Sequence, residues 1–137
     1  MDFVVEAGYP DEAQDLTVTL SGVASLDGFR RLVTVLADDL RAHAGMLLLV
    51  DLTDLNMTSL DSEDVQAVAV LLSERDWEQP ARAVAYVARD PSTLQAASHV
   101  RAHLGGTISN RRVFTARADA VAWLRRHSRG SETDPRS

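Results

Sequence analysis

The stretch MLLLVDLTDLNMTSLDSED, residues 46–64, decides the fold. It opens with the apolar run Leu47–Val50, which is typical of a strand that is covered on both faces. Near its end are Asp61 and Ser62, either of which can cap the start of a helix. Val65 and Val68 then begin the apolar stripe of that helix. A buried strand followed, after a loop, by a helix predicts a parallel sheet with helices packed on it.

Two segments with alternating apolar and polar residues precede this unit. FVVEA (3–7) and LTVTLSG (16–22) are joined by the turn-rich YPDEAQD (9–15), and this pattern predicts two antiparallel strands. The period then changes to that of a helix from Phe29 to Leu40, with Ser25 or Asp27 as its cap and Gly45 just past its end.

The chain after residue 64 repeats the alternation of helix and strand. The predicted elements are a helix that ends before Pro80, a strand over ARAVAYVA (81–88), a helix from Asp90-Pro91 to Gly105-Gly106, a strand over RRVFT (111–115) and a helix over ADAVAWLRRH (118–127). The order is β-β-α-β-α-β-α-β-α. It predicts an α/β fold in which one mixed, mostly parallel sheet carries packed helices.

Composition and length favour one domain. The 137 residues include 45% apolar and 25% charged side chains, an ordinary globular composition. We place the domain at residues 1–127 and expect residues 128–137 to form a polar disordered tail, because that segment has nothing to bury. No apolar run approaches the roughly 20 residues that span a bilayer, so we expect a cytoplasmic protein with no membrane contact.

The absence of two residue types excludes several chemistries. All 14 basic residues are arginine, which removes lysine-dependent phosphate loops and Schiff-base enzymes. The absence of cysteine removes disulfides, thiolate nucleophiles and cysteine-ligated zinc. A pI near 5.1 argues against general nucleic-acid binding.

Four segments carry a resemblance to a known family. They are DLTVTLSG (15–22), LLLVDLTDL (47–55), ARAVAYVARDP (81–91) and, above all, RRVFTARADAVAWL (111–124). Together they resemble the STAS superfamily, and within it the SpoIIAA-like branch, over residues 2 to 126. The resemblance implies a non-enzymatic regulatory or protein-interaction domain whose partner could be a regulatory kinase or an anti-sigma factor. We predict no cofactor.

In the antagonists of that superfamily, an aspartate ends the central strand and an Asp-Ser pair opens the next helix, where a kinase phosphorylates the serine. Asp51 and the pair Asp61-Ser62 match this pattern, whereas Glu63-Asp64 stands where the family has small residues. Three carboxylates beside Ser62 oppose a phosphate dianion at a helix N-terminus. Ser62 is therefore either a phosphorylation site or part of an ordinary helix cap.

Three other polar groupings in the sequence have simpler explanations than a metal or nucleic-acid site. The acidic loop lacks the spacing and the central glycine of a calcium loop, although a magnesium site is conceivable. His99 and His103 stand four apart on one predicted helix, but they have no third zinc ligand and are expected to face solvent. The basic end of the last helix, from Arg125 to Arg129, complements the negative end of its own dipole better than it suggests a phosphate or nucleic-acid site. We predict no metal site and no catalytic residue.

The sequence thus predicts a docking surface on the loop and helix start at 53–64 and on the Asp90-Pro91 turn, suited to a basic protein partner. The predicted contact residues are Asp54, Thr58, Ser59, Asp61, Ser62, Glu63, Asp64 and Asp90. The alternative is a small-molecule or lipid-binding module of the same fold. A homodimer is also plausible, given Trp77 and the acidic and basic halves of the chain.

Overall fold

The computed structural model describes residues 1–8, 12–39, 41–78, 81–103 and 110–133. The elements are β1 (Asp2–Ala7), β2 (Leu16–Val23), α1 (Leu26–Asp38), β3 (Leu47–Asn56), α2 (Ser62–Glu78), β4 (Ala83–Val87), α3 (Pro91–His103), β5 (Asn110–Phe114) and α4 (Arg117–Thr133). The predicted order of nine elements is confirmed. The helix end predicted at Gly105-Gly106 lies outside the described residues.

One five-stranded sheet in the order β1-β2-β3-β4-β5 organises the chain. β1 is antiparallel to β2, and the remaining neighbours are parallel. Each parallel strand leads into the next helix, so the four helices begin at the same edge of the sheet, where the parallel strands end. The predicted α/β class with a mixed, mostly parallel sheet is confirmed.

The two faces of the sheet are covered differently. α1, α2 and α3 cover one face and enclose the larger core with residues such as Val18, Leu48 and Val68. α4 covers the other face, and Leu49, Trp123 and Leu124 belong to its smaller core. Ala13 in the β1–β2 connection packs against the same smaller core.

β3 is longer than the sequence predicts. It continues through Asp51 and Asp54 to Asn56, so these aspartates lie within the strand and not in a loop after it. Thr19 pairs with Asp51 and Ser21 with Asp54, which leaves two residues of β3 opposite one residue of β2. This is a β-bulge, and the extra residue allows Leu52 and Leu55, three positions apart, to be buried in the same core.

α4 also runs further than predicted. The sequence places the end of the last helix at His127, whereas α4 extends to Thr133. The backbone of residues 128–133 is thus helical although these residues are polar. The domain boundary at residue 127 stays a prediction.

Arginines cover backbone groups at both edges of the sheet. Arg41 Nη2 donates to the Val5 carbonyl on β1 at 3.1 Å, and Arg101 Nε donates to the Arg111 carbonyl on β5 at 2.8 Å. An edge strand otherwise presents a row of free carbonyls and amides on which another strand can pair. These contacts disfavour extension of the sheet by a second chain.

Candidate functional site

All eight predicted contact residues lie at or near the edge where β3 and β4 end and α2 and α3 begin. We call this region, residues 54–64 together with Asp90, the acidic edge. Its conformation depends on backbone groups that need hydrogen-bond partners at the two helix starts.

A capping box starts α2. Asp61 Oδ1 accepts a hydrogen bond from the Asp64 amide at 2.8 Å, and Asp64 Oδ2 accepts one from the Asp61 amide at 3.3 Å. Each carboxylate therefore satisfies an amide of the other residue, as in the reciprocal cap formed by Ser/Thr and Glu. Of the two caps that the sequence allows, Asp61 is the one formed.

Asp90 caps α3 as the sequence predicts. Its Oδ2 accepts hydrogen bonds from the amides of Ser92 at 3.0 Å and Thr93 at 3.2 Å. Thr93 is buried, and its hydroxyl donates to the Leu55 carbonyl at 3.2 Å. The start of α3 is thereby held against the end of β3.

The segment between β3 and α2 is anchored by short polar contacts. Asn56 Oδ1 accepts from both the amide and the hydroxyl of Thr58, at 2.9 and 2.6 Å. Ser59 Oγ donates to the Ala24 carbonyl at 2.8 Å, and the Ala24 amide donates to the Asn56 carbonyl at the same distance. Thr58 and Ser59 thus hold the loop in place, which is a structural role.

Three of the eight predicted contact residues take no part in these structural contacts and can contact a partner. Asp54, Ser62 and Glu63 are exposed, and their side chains make no hydrogen bond or ion pair with the part of the chain that the structure describes. Ser62 is the first residue of α2. A phosphate there would compete with Asp61, which already accepts the Asp64 amide at this helix start.

Asp51 has a partner that sequence reasoning missed. Arg117, at the start of α4, forms two hydrogen bonds of 2.9 and 2.8 Å with the Glu12 carboxylate, and its Nη1 lies 3.8 Å from Asp51 Oδ2. Asp51 Oδ1 also accepts from the Thr53 amide of the bulge. The Arg117 guanidinium holds the pKa of Glu12 below its usual value through this hydrogen bond. Glu12 and Arg117 are 105 residues apart, so no local motif could have indicated the pair.

A partly open cavity of about 80 Å³ lies between the sheet and the layer of α1, α2 and α3. On the same measure, one water needs about 10–15 Å³. Among the described residues, Tyr86 and Arg111 form its polar lining, and the other lining residues are apolar. They are Val18, Phe29, Leu32, Leu36, Met46, Leu48, Val50, Leu52, Met57, Val68, Leu72, Ala81, Val84, Ala97 and Val100.

Within the described part of the chain, no three His, Asp or Glu side chains are grouped so that they could hold a metal ion. His99 is exposed, and the side chain of His103 lies outside the described set. In the same part of the chain, no helix is both long enough and apolar enough to cross a bilayer.

Comparison with known proteins identifies the fold. No family model matches the chain, and no curated protein matches it significantly in sequence. An uncharacterized protein of the DUF3478 family from Shewanella loihica, described as having a SpoIIAA-like fold, superposes with a TM-score of 0.61. The match covers 89% of this chain and 93% of that one at 16% identity. The fold is SpoIIAA-like. At this identity the likeness concerns the architecture, and it confirms the fold that the sequence resemblance implied.

Proposed function

We propose that this chain is a non-enzymatic regulatory domain that binds a protein partner through the acidic edge. The observation that carries the proposal is the contrast between fixed and available carboxylates. Asp61, Asp64 and Asp90 hold the two helix starts in place, while Asp54 and Glu63 are exposed on that scaffold. A rigid surface with available negative charge suits a basic partner, and its charge mainly affects association rate and selectivity.

The contacts of the edge favour binding over chemistry. The hydroxyls of Thr58 and Ser59 donate to Asn56 and to the Ala24 carbonyl, so neither is activated by a neighbouring base. The resemblance to SpoIIAA-like proteins suggests a regulatory kinase or an anti-sigma factor as the partner and Ser62 as the residue that a kinase would modify. Both suggestions, and a cytoplasmic location, belong to the proposal.

The test uses substitutions that leave the caps intact. The variant Asp54→Asn/Glu63→Gln removes two exposed charges from the edge, and Asp2→Asn/Glu6→Gln removes two exposed charges from β1 as a matched control. Each variant and the wild type capture partners from an extract of the native host, and bound proteins are quantified by mass spectrometry. We expect a partner that the control retains and the edge variant loses. Equal recovery of every partner by both variants would refute the assignment of this surface.

The cavity supports a second function, the binding of a small apolar molecule between sheet and helices. Protein purified from its own host should then show added mass in native mass spectrometry that disappears on denaturation. Ala97→Leu directs a larger side chain into the cavity, and Ala102→Leu makes the same change at an exposed position of the same helix. We expect the added mass to be absent from Ala97→Leu and present in Ala102→Leu. Wild-type protein that carries no added mass would contradict this second function.

A further inference from the structure

An open groove lies between β5 and α4, on the face of the sheet opposite the cavity. Its volume is about 620 Å³, and sites for small ligands commonly have volumes of about 300–1,000 Å³. In the described part of the chain, its lining residues are Arg112, Phe114, Asp119, Ala122, Arg125 and Arg126. Positive side chains from two elements therefore meet in one concave region.

The dipole of α4 does not account for the arginines that this helix contributes. The sequence alone places Arg125 and Arg126 at the negative end of a helix that ends at His127. α4 instead extends to Thr133, and its last turn contains no basic residue. The favourable effect of the dipole on a cation is confined to the last turn. The charges at these two positions are therefore not explained by the helix itself.

Two of these arginines can bind an anion. Arg112 and Arg126 are exposed, and neither forms an ion pair within the part of the chain that the structure describes. The guanidinium carbon of Arg112 lies 5.4 Å from the Phe114 ring centroid. A guanidinium that lies over an aromatic ring keeps N–H donors for hydrogen bonds in its own plane.

The two charges favour a phosphate group over a carboxylate. Two cations balance a phosphate dianion, whereas one cation is enough for a carboxylate. The planar fork of N–H donors on each guanidinium also matches the oxygens of a phosphate.

Asp119 limits what the rest of the ligand can be. It lies two helical turns before Arg126, with Ala122 between them on the same side of α4. Its carboxylate repels a second anionic group and accepts hydrogen bonds from hydroxyl groups. A ligand with one phosphate and a hydroxylated body satisfies both ends of the groove.

The aromatic side chain of the groove does not favour a nucleotide. Phe114 is half-buried, and its ring already packs against Arg112 and Trp123. Proteins that bind bases by stacking use an exposed aromatic face. The body of the ligand is therefore expected to be polar and non-aromatic.

We propose that the groove binds a small phosphate monoester with a hydroxylated body, such as a sugar phosphate. Its phosphate contacts Arg112 and Arg126, and its hydroxyl groups lie toward Asp119. The groove is separate from the acidic edge and from the cavity, so the inference depends on neither of the functions proposed above.

The probes are glucose 6-phosphate, glucuronate, glucose and inorganic phosphate. Glucuronate has a carboxylate, and glucose a neutral hydroxyl group, at the position where glucose 6-phosphate has its phosphate. Binding is followed at pH 7 and low ionic strength through the backbone amide signals in NMR. We expect glucose 6-phosphate to shift the signals of residues 112–114 and 119–126. It should bind at least about fivefold more tightly than each of the other probes, the gain that one additional hydrogen bond provides.

Four variants locate the ligand. Arg112→Gln and Arg126→Gln should each weaken the binding of glucose 6-phosphate by at least about fivefold. Arg30→Gln removes the same charge from an exposed position of α1, across the sheet, and should leave the affinity unchanged. Asp119→Ala should reduce the preference for glucose 6-phosphate over inorganic phosphate. Circular dichroism checks that the variants fold, and the comparison of the probes on wild-type protein stands without them.

Several results would overturn the inference. Glucuronate that binds as tightly as glucose 6-phosphate would overturn the phosphate, and inorganic phosphate that does so would overturn the hydroxylated body. Binding of none of the probes, or amide shifts outside the groove, would overturn the site. An equal loss of affinity in Arg30→Gln and Arg126→Gln would show only an effect of net charge and would also overturn it.

Discussion

The two faces of the sheet are formed by the same strands, but the helices pack on them to different degrees. On the α4 face, Ala83 and Ala85 of β4 and Ala120 of α4 are fully buried, and their small side chains let the helix approach the sheet closely. On the opposite face, three helices span the sheet and leave a cavity of about 80 Å³. Where α4 packs on β3 and β4 its face of the sheet is filled, and the other face has room for a ligand.

Ionic and aromatic contacts add to this difference in packing between the two faces. On the α4 side, Arg117 joins the start of α4 to Glu12 of the β1–β2 connection. The ring centroid of Trp123 lies 5.6 Å from that of Phe114 and 4.4 Å from that of His127. We therefore expect the filled face to carry the larger penalties on mutation.

The largest expected effect is the loss of a side chain from the filled face. Leu124 is fully buried against the sheet, so Leu124→Ala should lower the free energy of unfolding by about 2–5 kcal/mol. Leu48→Ala should cost less, because Leu48 borders the cavity and has fewer packing contacts to lose. Urea denaturation of both variants measures the two losses. An equal or larger loss for Leu48→Ala would contradict the difference between the faces.

Replacement of a buried alanine by leucine should have opposite effects on stability at the two faces of the sheet. Ala120→Leu would overpack the filled face and lower stability by about 1–3 kcal/mol. Ala97→Leu would fill part of the cavity and raise stability by about 0.5–2 kcal/mol. Both changes place leucine in a helix, so helix propensity largely cancels between them. Thermal melting that shows both variants destabilised to the same extent would contradict the presence of space for a larger side chain in the cavity.

The Arg117–Glu12 pair should contribute an acid-sensitive stability of about 1 kcal/mol, since it is bidentate but partly exposed. The pKa of Glu12 is lower in the folded protein than its usual 4.5. Its contribution is therefore present above pH 4.5 and is lost as the pH falls through the lower folded value. Arg117→Gln should reduce stability at pH 7 and reduce the acid dependence of urea denaturation below pH 4.5. A variant with the wild-type dependence would show that Glu12 is not stabilised by Arg117.

His127 should give the smallest effect, below about 1 kcal/mol. Burial lowers the pKa of His127 in the folded protein from 6.5, and the charges of Arg126 and Arg82 act in the same direction. The unfolded chain therefore takes up the proton first, and stability falls as the pH drops below 6.5. His127→Gln should lack this loss between pH 7 and pH 5. The imidazole signals in NMR titration report the folded pKa, and a value above 6.5 would reverse the prediction.

The element order followed from the sequence because hydrophobic periodicity reflects burial on a sheet or helix face. The bulge in β3 was missed, although the sequence contains its signal. Apolar residues alternate at Leu48, Val50 and Leu52 and then recur three positions later at Leu55. A break of this kind indicates an extra residue within a continuing strand.

The site was predictable only in part. Aspartate and serine before an apolar stripe indicate a helix cap, which is how Asp61 and Asp90 were found. The sequence could not show which carboxylates the caps use and which remain exposed, as with Asp64 and Glu63. The cavity and the Arg117–Glu12 pair depend on the spacing between distant elements, and local patterns do not encode that spacing.

The central claim is that the acidic edge is a docking surface for a protein. Hydrogen–deuterium exchange of the chain, alone and in complex with a partner recovered by the capture experiment, tests it most directly. We predict slower exchange for backbone amides within residues 57–66 in the complex and no change in β1. Slower exchange confined to β1 or to α4, with residues 57–66 unaffected, would contradict the claim.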